Sequence, residues 1–319
     1  MKLFLVIPCY NEEAVLHETA RQLRDKFTAL TEAGKISPDS RIVFVNDGSK
    51  DQTWEIIEEL HASDPVFRGI CLSRNKGHQN ALMAGLMTVK DECDAAISMD
   101  ADLQDDINAI DAMVDRFAEG YEVVYGVRSS RKKDTFFKRT TAEGFYKVMK
   151  GMGVDTVYNH ADYRLMSRRA LEALSEFTEV NLFLRGIIPM IGYKSDIVYY
   201  ERAERFAGES KYPLKKMLAF AWEGITSFSV TPLKFTFLFS ILSFVASFGM
   251  IVFSIVSAIL GYGAPLWATV GLQIWLAVGI VLLAIGILGE YLGKVYREVK
   301  HRPSFLISQT VGLKDNEKQ

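Results

Sequence analysis

Two stretches of this chain carry no charge at all: Phe235 to Leu260 and Trp267 to Gly289 contain no Asp, Glu, Lys or Arg. At ~1.5 Å of rise per residue, either one as a helix is long enough to cross the ~30 Å hydrocarbon layer of a bilayer. A buried helix pair in a soluble core is the competing reading. Averaged over the chain, 49% hydrophobic and 24% charged residues with a net charge of -2 look like an ordinary globular protein. Nearly all of that charge lies before residue 232, so the chain has two parts. Lys211, Lys215, Lys216 and Lys234 precede the first run, and Lys294, Arg297, Lys300, His301 and Arg302 follow the second, while Gly261 to Leu266 between them is uncharged. The positive-inside rule then predicts a multi-pass hairpin in the plasma (inner) membrane, with both termini and the large domain cytoplasmic. No apolar run long enough for a secretory signal precedes Leu3-Phe4-Leu5-Val6-Ile7. Cys9, Cys71 and Cys93 have no metal-ligand spacing and read as buried thiols in a reducing compartment.

The first 130 residues alternate short β-branched runs with amphipathic helical patterns, which predicts an α/β fold with a mostly parallel sheet. Strands are expected at Leu3 to Ile7, Arg41 to Val45, Gly69 to Leu72, Ala95 to Met99 and Val123 to Gly126. Helices are expected at Glu12 to Glu32, Asp51 to Ala62, Gly77 to Lys90 and Ile107 to Glu119. The chain divides into a catalytic domain over 1–212, an interfacial amphipathic helix over 213–232, a hairpin over 233–293 and a basic tail over 294–319. Leu214, Met217, Leu218, Ala221, Trp222, Ile225 and Phe228 recur at helical spacing in the second of these. Arg131 to Met152 mixes aromatic and basic residues and fits either a membrane-surface segment or a solvated helix. Small residues in the spans, Ser243, Ser247, Gly286, Gly289 and Gly293, suit close packing within the hairpin or a homo-oligomer.

In open α/β sheets ligands bind at the carboxyl ends of the strands, and Asn11, Asp47, Arg74 and Asp100 fall at those ends. Asp100-Ala101-Asp102, within Met99 to Asp105, has two carboxylates one residue apart after an apolar strand. Such a pair can share a hard divalent cation, Mg2+ or Mn2+, that also contacts a diphosphate. Alone it is weak, since Asp clusters in ordinary turns. Val6-Ile7-Pro8-Cys9-Tyr10-Asn11-Glu12-Glu13 and Val45-Asn46-Asp47-Gly48-Ser49 strengthen it, each joining a strand to a helix, although helix capping by Asn11 and Ser49 also accounts for either one. There is no G-x-x-x-x-G-K-[ST] loop, no G-x-G-x-x-G after a strand and no nucleophile elbow, which removes kinase, dehydrogenase and serine hydrolase readings. Nothing points to a nucleic-acid partner.

Together with Ser73 to Ala81, Gly126-Val127-Arg128, Ala161 to Met166 and Arg202 to Tyr212, these motifs resemble the inverting family 2 glycosyltransferases of the GT-A fold. Within that family the arrangement resembles polyprenyl phosphate glycosyltransferases, including bactoprenol glucosyltransferases and, more distantly, dolichol phosphate mannose synthases. The resemblance implies that Pro8, Tyr10, Glu12, Val45 and Asp47 line the nucleoside pocket of a UDP-sugar. It implies that Asp100, Ala101, Asp102 and Gln104 bind the diphosphate, with Asp100, Asp102 and Gln104 holding the metal and Arg205 and Lys211 assisting the donor. Lys76 faces either donor phosphate or solvent. The acceptor would be undecaprenyl (polyprenyl) phosphate, whose phosphate is largely ionised at pH 7, so positioning cations matter more than a general base. Arg128, Arg164 and Arg202 are the candidates for it, and Asp162, with Arg128 and Arg164, forms the catalytic group, acting either as a base or by orienting the arginines.

The transferred sugar is expected to be glucose, with N-acetylglucosamine as the alternative. A processive polysaccharide synthase is disfavoured by the missing Gln-x-x-Arg-Trp motif and the small number of spans. A non-catalytic nucleotide-sugar-binding scaffold is the remaining reading, and it would tolerate loss of Asp100 and Asp102.

Overall fold

The computed structural model describes residues 1–129, 160–180, 182–202, 226, 230–261 and 266–313. It separates into two compact units: Met1–Lys150, Asp155–Pro213 and Pro303–Gln319 form one, and Gly151–Val154 with Leu214–Arg302 the other.

In the first unit the chain runs β1 (Leu3–Cys9), α1 (Leu16–Glu32), β2 (Arg41–Asn46), α2 (Thr53–Ser63), β3 (Phe67–Leu72), α3 (His78–Val89), β4 (Ala95–Ser98), α4 (Ala109–Ala118) and β5 (Val123–Arg128). These are the five strands and four helices that the alternating pattern predicts. Beyond them lie β6 (His160–Ser167), α5 (Arg168–Ser175), α6 (Leu184–Met190), β7 (Ser195–Tyr200) and, near the end of the chain, β8 (Ile307–Val311). One sheet takes all eight strands in the order β7-β5-β6-β4-β1-β2-β3-β8. β4, β1, β2 and β3 are mutually parallel, β6 runs antiparallel to both β4 and β5, and β5 is parallel to β7.

All seven residues of β1 are buried, which is why its sequence is a continuous apolar run and not an alternating one. α1 covers it with Leu16, Ala20, Leu23, Phe27 and Leu30. On the other face α3 approaches through Gly85, where a Cβ would lie 2.4 Å from Val6 Cγ1 and 2.7 Å from Val45 Cγ2. That contact explains the lone glycine inside a helix, where it ordinarily costs ~1 kcal/mol relative to alanine.

Within the expected basic tail over 294–319 lies β8, which pairs antiparallel with β3, Gly69 opposite Val311 and Ile70 opposite Thr310. Ser73 N also donates to Leu306 O at 2.9 Å. The alternation in Ile307-Ser308-Gln309-Thr310-Val311 is too short to stand out beside the long apolar runs before it.

The second unit contains α7 (Thr231–Ile259) and α8 (Leu266–Val299), which pack together. Pro232 falls in the first turn of α7, where its missing N–H costs nothing. Within them Thr231–Ser257 and Gln273–Val299 have mean hydropathies of 2.3 and 2.1 and are long and apolar enough to cross a membrane. Their side chains are largely exposed, Phe244 at 73% and Trp275 at 77% among them. A soluble core pair would bury such residues, so the buried-helix reading does not hold. Lys294 is the exception near the end of α8: it is buried, and Nζ donates to Thr226 Oγ1 at 2.7 Å. The rest of the expected interfacial helix, and the basic-aromatic stretch from Arg131 to Met152, lie outside the described residues.

Candidate active site

Sheet order decides which polar residues meet. β1, β2, β3 and β4 all end at one edge of the sheet, and the strand order reverses between β1 and β4, the kind of switch point at which α/β sheets bind ligands. Because β6 is antiparallel, its first residues begin at that same edge: Ser98 on β4 pairs with Arg164, and Val127 on β5 pairs with His160. Asp162 is thereby brought beside the residues that follow β4. Arg128 and Arg202 reach the same edge from β5 and β7.

On the β1–β2 side the two loops lock together. Asn11 N donates to Ser49 Oγ at 3.0 Å, Lys50 N to Asn11 Oδ1 at 2.9 Å, Glu12 N to Thr53 Oγ1 at 2.9 Å and Gln52 N to Glu13 Oε2 at 3.0 Å. Asn11 and Ser49 therefore do not cap the helices that follow them; α1 and α2 lack side-chain caps. Asn11 adopts φ 55 to make these bonds. Pro8 and Val45 are register partners in the adjoining strands, Val45 is fully buried, and Tyr10 stands 43% exposed above them.

Asp47 is buried, and its carboxylate accepts from Lys76 N at 2.7 Å and Gly77 N at 2.8 Å, fixing the loop that leads from β3 into α3. Gly48 lies under that loop at φ +64, and a Cβ there would meet Arg74 C and Asn75 N at 2.6 Å. Glycine is thus required twice over, by backbone angle and by space.

Asp100, Ala101 and Asp102 follow β4, held in line by Met99 N donating to Val6 O at 3.2 Å and by Thr19 Oγ1 donating to Ala101 O at 2.8 Å. Asp102 Oδ1 accepts from Gln104 N at 3.2 Å, and between them Leu103 takes φ 56. A bulky residue in the left-handed region costs ~1–3 kcal/mol, a kind of strain that concentrates at functional sites. Burial pushes the Asp100 carboxyl up to about 6, and the charges of Asp105, Asp162 and Asp102 add to the effect while His78 opposes it. Asp105 is also raised, by burial first, and its Oδ2 is buried without a hydrogen-bond partner. Its Oδ1 accepts from Tyr200 OH at 2.5 Å, and Tyr200 OH in turn accepts from Arg128 Nε at 3.3 Å.

Asp100 and Asp105, whose ionisation burial resists, fit a site for a divalent cation, which favours the charged form that burial disfavours. Among the described residues no three His, Cys, Asp or Glu side chains are already gathered for ligation. Asp100 and Asp102 would therefore share the ion with donor phosphate oxygens and water, as magnesium sites commonly do. Gln104, expected as a ligand, has its Oε1 accepting from Arg202 Nη2. Arg202, expected on the acceptor side, thus stands beside the Asp102–Gln104 segment, and Asp102 and Asp105 are among the charges acting on it.

At the opposite flank Asp162 is clamped. Arg164 Nη2 donates to Oδ1 at 2.6 Å, while Arg185 donates from Nε to Oδ1 at 3.2 Å and from Nη2 to Oδ2 at 3.0 Å. Burial alone would raise this carboxyl, but Arg185 and Arg164 outweigh it and hold it well below the usual carboxylate range. Arg164 is 1% exposed, sealed in the sheet. Arg164, expected to contact an acceptor phosphate, lies under Asp162, and its Nε and Nη1 are buried without a hydrogen-bond partner among the described residues. His78 Nε2 lies 3.5 Å from Asp100 Oδ1 and 3.8 Å from Asp162 Oδ2, bridging the two flanks. Arg205 and Lys211 lie outside the described residues. Asp105 and His78, quoted within motifs but given no role, join the site together with Tyr200 and Arg185, which were not named; Arg185 had one available signal, a lone charge in the apolar helix Leu184–Met190.

A family model described as Glycosyl transferase family 2 matches residues 4–175, which takes in every strand end just described from β1 to β6. The chain belongs to glycosyl transferase family 2. As a member of that family it is a glycosyltransferase, with a GT-A-like α/β catalytic fold. A Bacillus subtilis (strain 168) protein named "Uncharacterized glycosyltransferase YkoT" is 51% identical over 308 residues, spanning 96% of this chain and 90% of that one. The "Bactoprenol glucosyl transferase" of Shigella phage SfV is 38% identical over 330 residues, 100% of both. Among solved structures, mannosyl-3-phosphoglycerate synthase from Rubrobacter xylanophilus superposes with a TM-score of 0.45 at 14% identity, over 70% of this chain and 72% of that one.

Proposed function

We propose that this glycosyltransferase moves one glucose from UDP-glucose to undecaprenyl (polyprenyl) phosphate, with inversion at the anomeric carbon, to supply a lipid-linked sugar for the cell envelope. The observation that carries the reading is a carboxylate-rich donor site and an arginine-rich flank at one sheet edge, on a chain that also has two membrane-length apolar helices. The full-length similarity to a protein named for bactoprenol glucosyl transfer supports both the sugar and the acceptor.

The nucleoside would lie over Pro8, Tyr10, Glu12 and Val45, with Asp47 holding the loop beside it. Asp100 and Asp102 would hold the divalent cation, Mg2+ or Mn2+, which neutralises charge developing on the diphosphate as it leaves. Arg202, drawn to Gln104, adds positive charge on that side, as Arg205 and Lys211 would. The lipid phosphate oxygen attacks the anomeric carbon from the face opposite the diphosphate, turning an α-linked donor into a β-linked product. Since that oxygen is already anionic, Asp162 has no proton to take, and its two arginine partners suit it to orientation.

Both ends of the hairpin would lie on one side of the membrane, a reading supported by the pairing of β8, which follows the second apolar helix, with β3. With basic residues flanking both spans, that side is the cytoplasmic face of the plasma membrane. Incubation of the purified protein with undecaprenyl phosphate and, in turn, UDP-glucose, UDP-N-acetylglucosamine, UDP-galactose and GDP-mannose tests donor and acceptor together. UDP-glucose should be preferred; preference for another donor would replace the sugar while leaving the acceptor.

A further inference from the structure

Asp162 is held by two arginines of different character. Arg164 is buried within the sheet, whereas the Arg185 side chain keeps 31% of its surface exposed. At 1% exposure Arg164 offers a lipid phosphate almost no surface to contact. Arg185 stands in the first turn of α6, a helix fixed at its start by Leu184 N donating to Gln79 Oε1 of α3 at 2.8 Å. α3 also presents His78, placed between Asp162 and Asp100. Arg185, Asp162, His78 and Asp100 thus form a chain of neighbours, Arg185 touching Asp162, Asp162 facing His78 and His78 facing Asp100.

We propose that Arg185 is the guanidinium that receives the acceptor phosphate, and that Asp162 is its positioning carboxylate, setting the angle of the fork through a two-point contact. This rests on the acceptor being a lipid phosphate. A phosphate approaching Asp100, Asp102, Asp105 and Asp162 meets concentrated negative charge, and a permanently charged guanidinium at the edge of that cluster offsets it. The bond formed is phosphate oxygen to anomeric carbon; the bond broken is anomeric carbon to diphosphate oxygen, whose electron pair leaves with UDP. No proton is transferred, so the carboxylate beside the nucleophile serves by holding the arginine in one orientation.

The test is steady-state kinetics on the full chain in detergent or nanodiscs, with undecaprenyl phosphate and UDP-glucose varied separately, and calorimetric UDP binding as the measure of an intact donor site. Losing a charge-assisted phosphate contact should raise the KM for undecaprenyl phosphate about tenfold or more in Arg185→Ala. The KM for UDP-glucose and the Kd for UDP should stay within about twofold, since neither ligand uses that contact. Arg185→Lys keeps the charge and should recover part of the loss; Asp162→Asn should raise the same KM. Should Arg185→Ala lose UDP binding through misfolding, Arg185→Lys carries the test, because it retains a cation for Asp162. An unchanged acceptor KM, or an equal rise for donor and acceptor, overturns the assignment. If the wild-type protein transfers nothing to undecaprenyl phosphate, the acceptor reading fails and this one with it. If the wild type transfers and the variants keep its acceptor KM, only the role of Arg185 fails.

Discussion

Asp162 makes the residue-scale case, because its neighbours bear on two roles that the sequence leaves open. Its carboxyl is held below the usual range, so it is ionised throughout the pH range in which such an enzyme works. The rate at saturating substrates should therefore show no ionisation belonging to Asp162 between about pH 5 and 9, since an unperturbed Asp already titrates near 4. Asp162→Asn should lower the plateau and leave the shape of the profile unchanged; loss of a limb would make Asp162 a base after all. The stability sign follows from the same depression: the ion pairs stabilise the fold above the unfolded-state pKa, and that contribution is lost as pH falls toward the folded-state value. Asp162→Asn also leaves Arg164 buried with its charge uncompensated, at a cost of about 3–5 kcal/mol, so its Tm should fall clearly in a thermal melt. On the other flank, Asp102→Ala should reduce transfer by more than the 10–100-fold typical of residues that only support a metal ligand. A scaffold that merely binds nucleotide-sugar would lose no turnover there. Asp100-Ala101-Asp102 was legible because its chemistry is local in sequence. Arg185 was not, because only the pairing of β6 with β4 and the placing of α6 bring it to Asp162.

Among the elements, those with repeating patterns were legible and those defined by long-range pairing were not. The run Leu3 to Ile7 announces a strand buried on both faces, and β1 through β5 fall where alternation of apolar runs and amphipathic helices puts them. β6 and β7 follow a looser stretch of sequence and lie on the side of the sheet where parallel order breaks down. β8 is separated from its partner β3 by both apolar helices, so nothing local in the sequence joins them. Removing 303–319 should expose the β3 edge, seen as faster hydrogen exchange at the amides of β3, while exchange in β1 stays slow. Unchanged protection in β3 would mean that β8 contributes little to the sheet. Gly48 gives a sharper test of the β2–α2 turn. Gly48→Ala drives a Cβ into the backbone of Arg74 and Asn75. It should weaken UDP binding together with stability, by about 1–3 kcal/mol or more in a melt, because the loop it displaces is the one Asp47 holds.

For the whole molecule, connectivity restricts topology more tightly than hydropathy does. The chain leaves its catalytic unit after Pro213, passes through two apolar helices and returns at Pro303 to complete the sheet. If both helices cross the membrane, two crossings would return the chain to the side it left, in agreement with the basic residues that flank both runs. A tag inserted in the connector at 262–265 should be accessible from outside intact cells, and one at the C-terminus only after permeabilisation. The charge-free runs mark the two membrane-length helices at once, yet an acceptor is read only by combining them with the donor site. The sugar itself rests on similarity to a named relative, since a few pocket side chains decide it and no pattern in the sequence encodes their choice. The most direct measurement of the central claim is transfer of radiolabelled glucose from UDP-glucose to undecaprenyl phosphate by the purified protein, with the anomer of the product determined. A metal-dependent, β-linked undecaprenyl phosphate glucose is the predicted product; an α-linked product, or no transfer to the lipid phosphate from any donor, would contradict it.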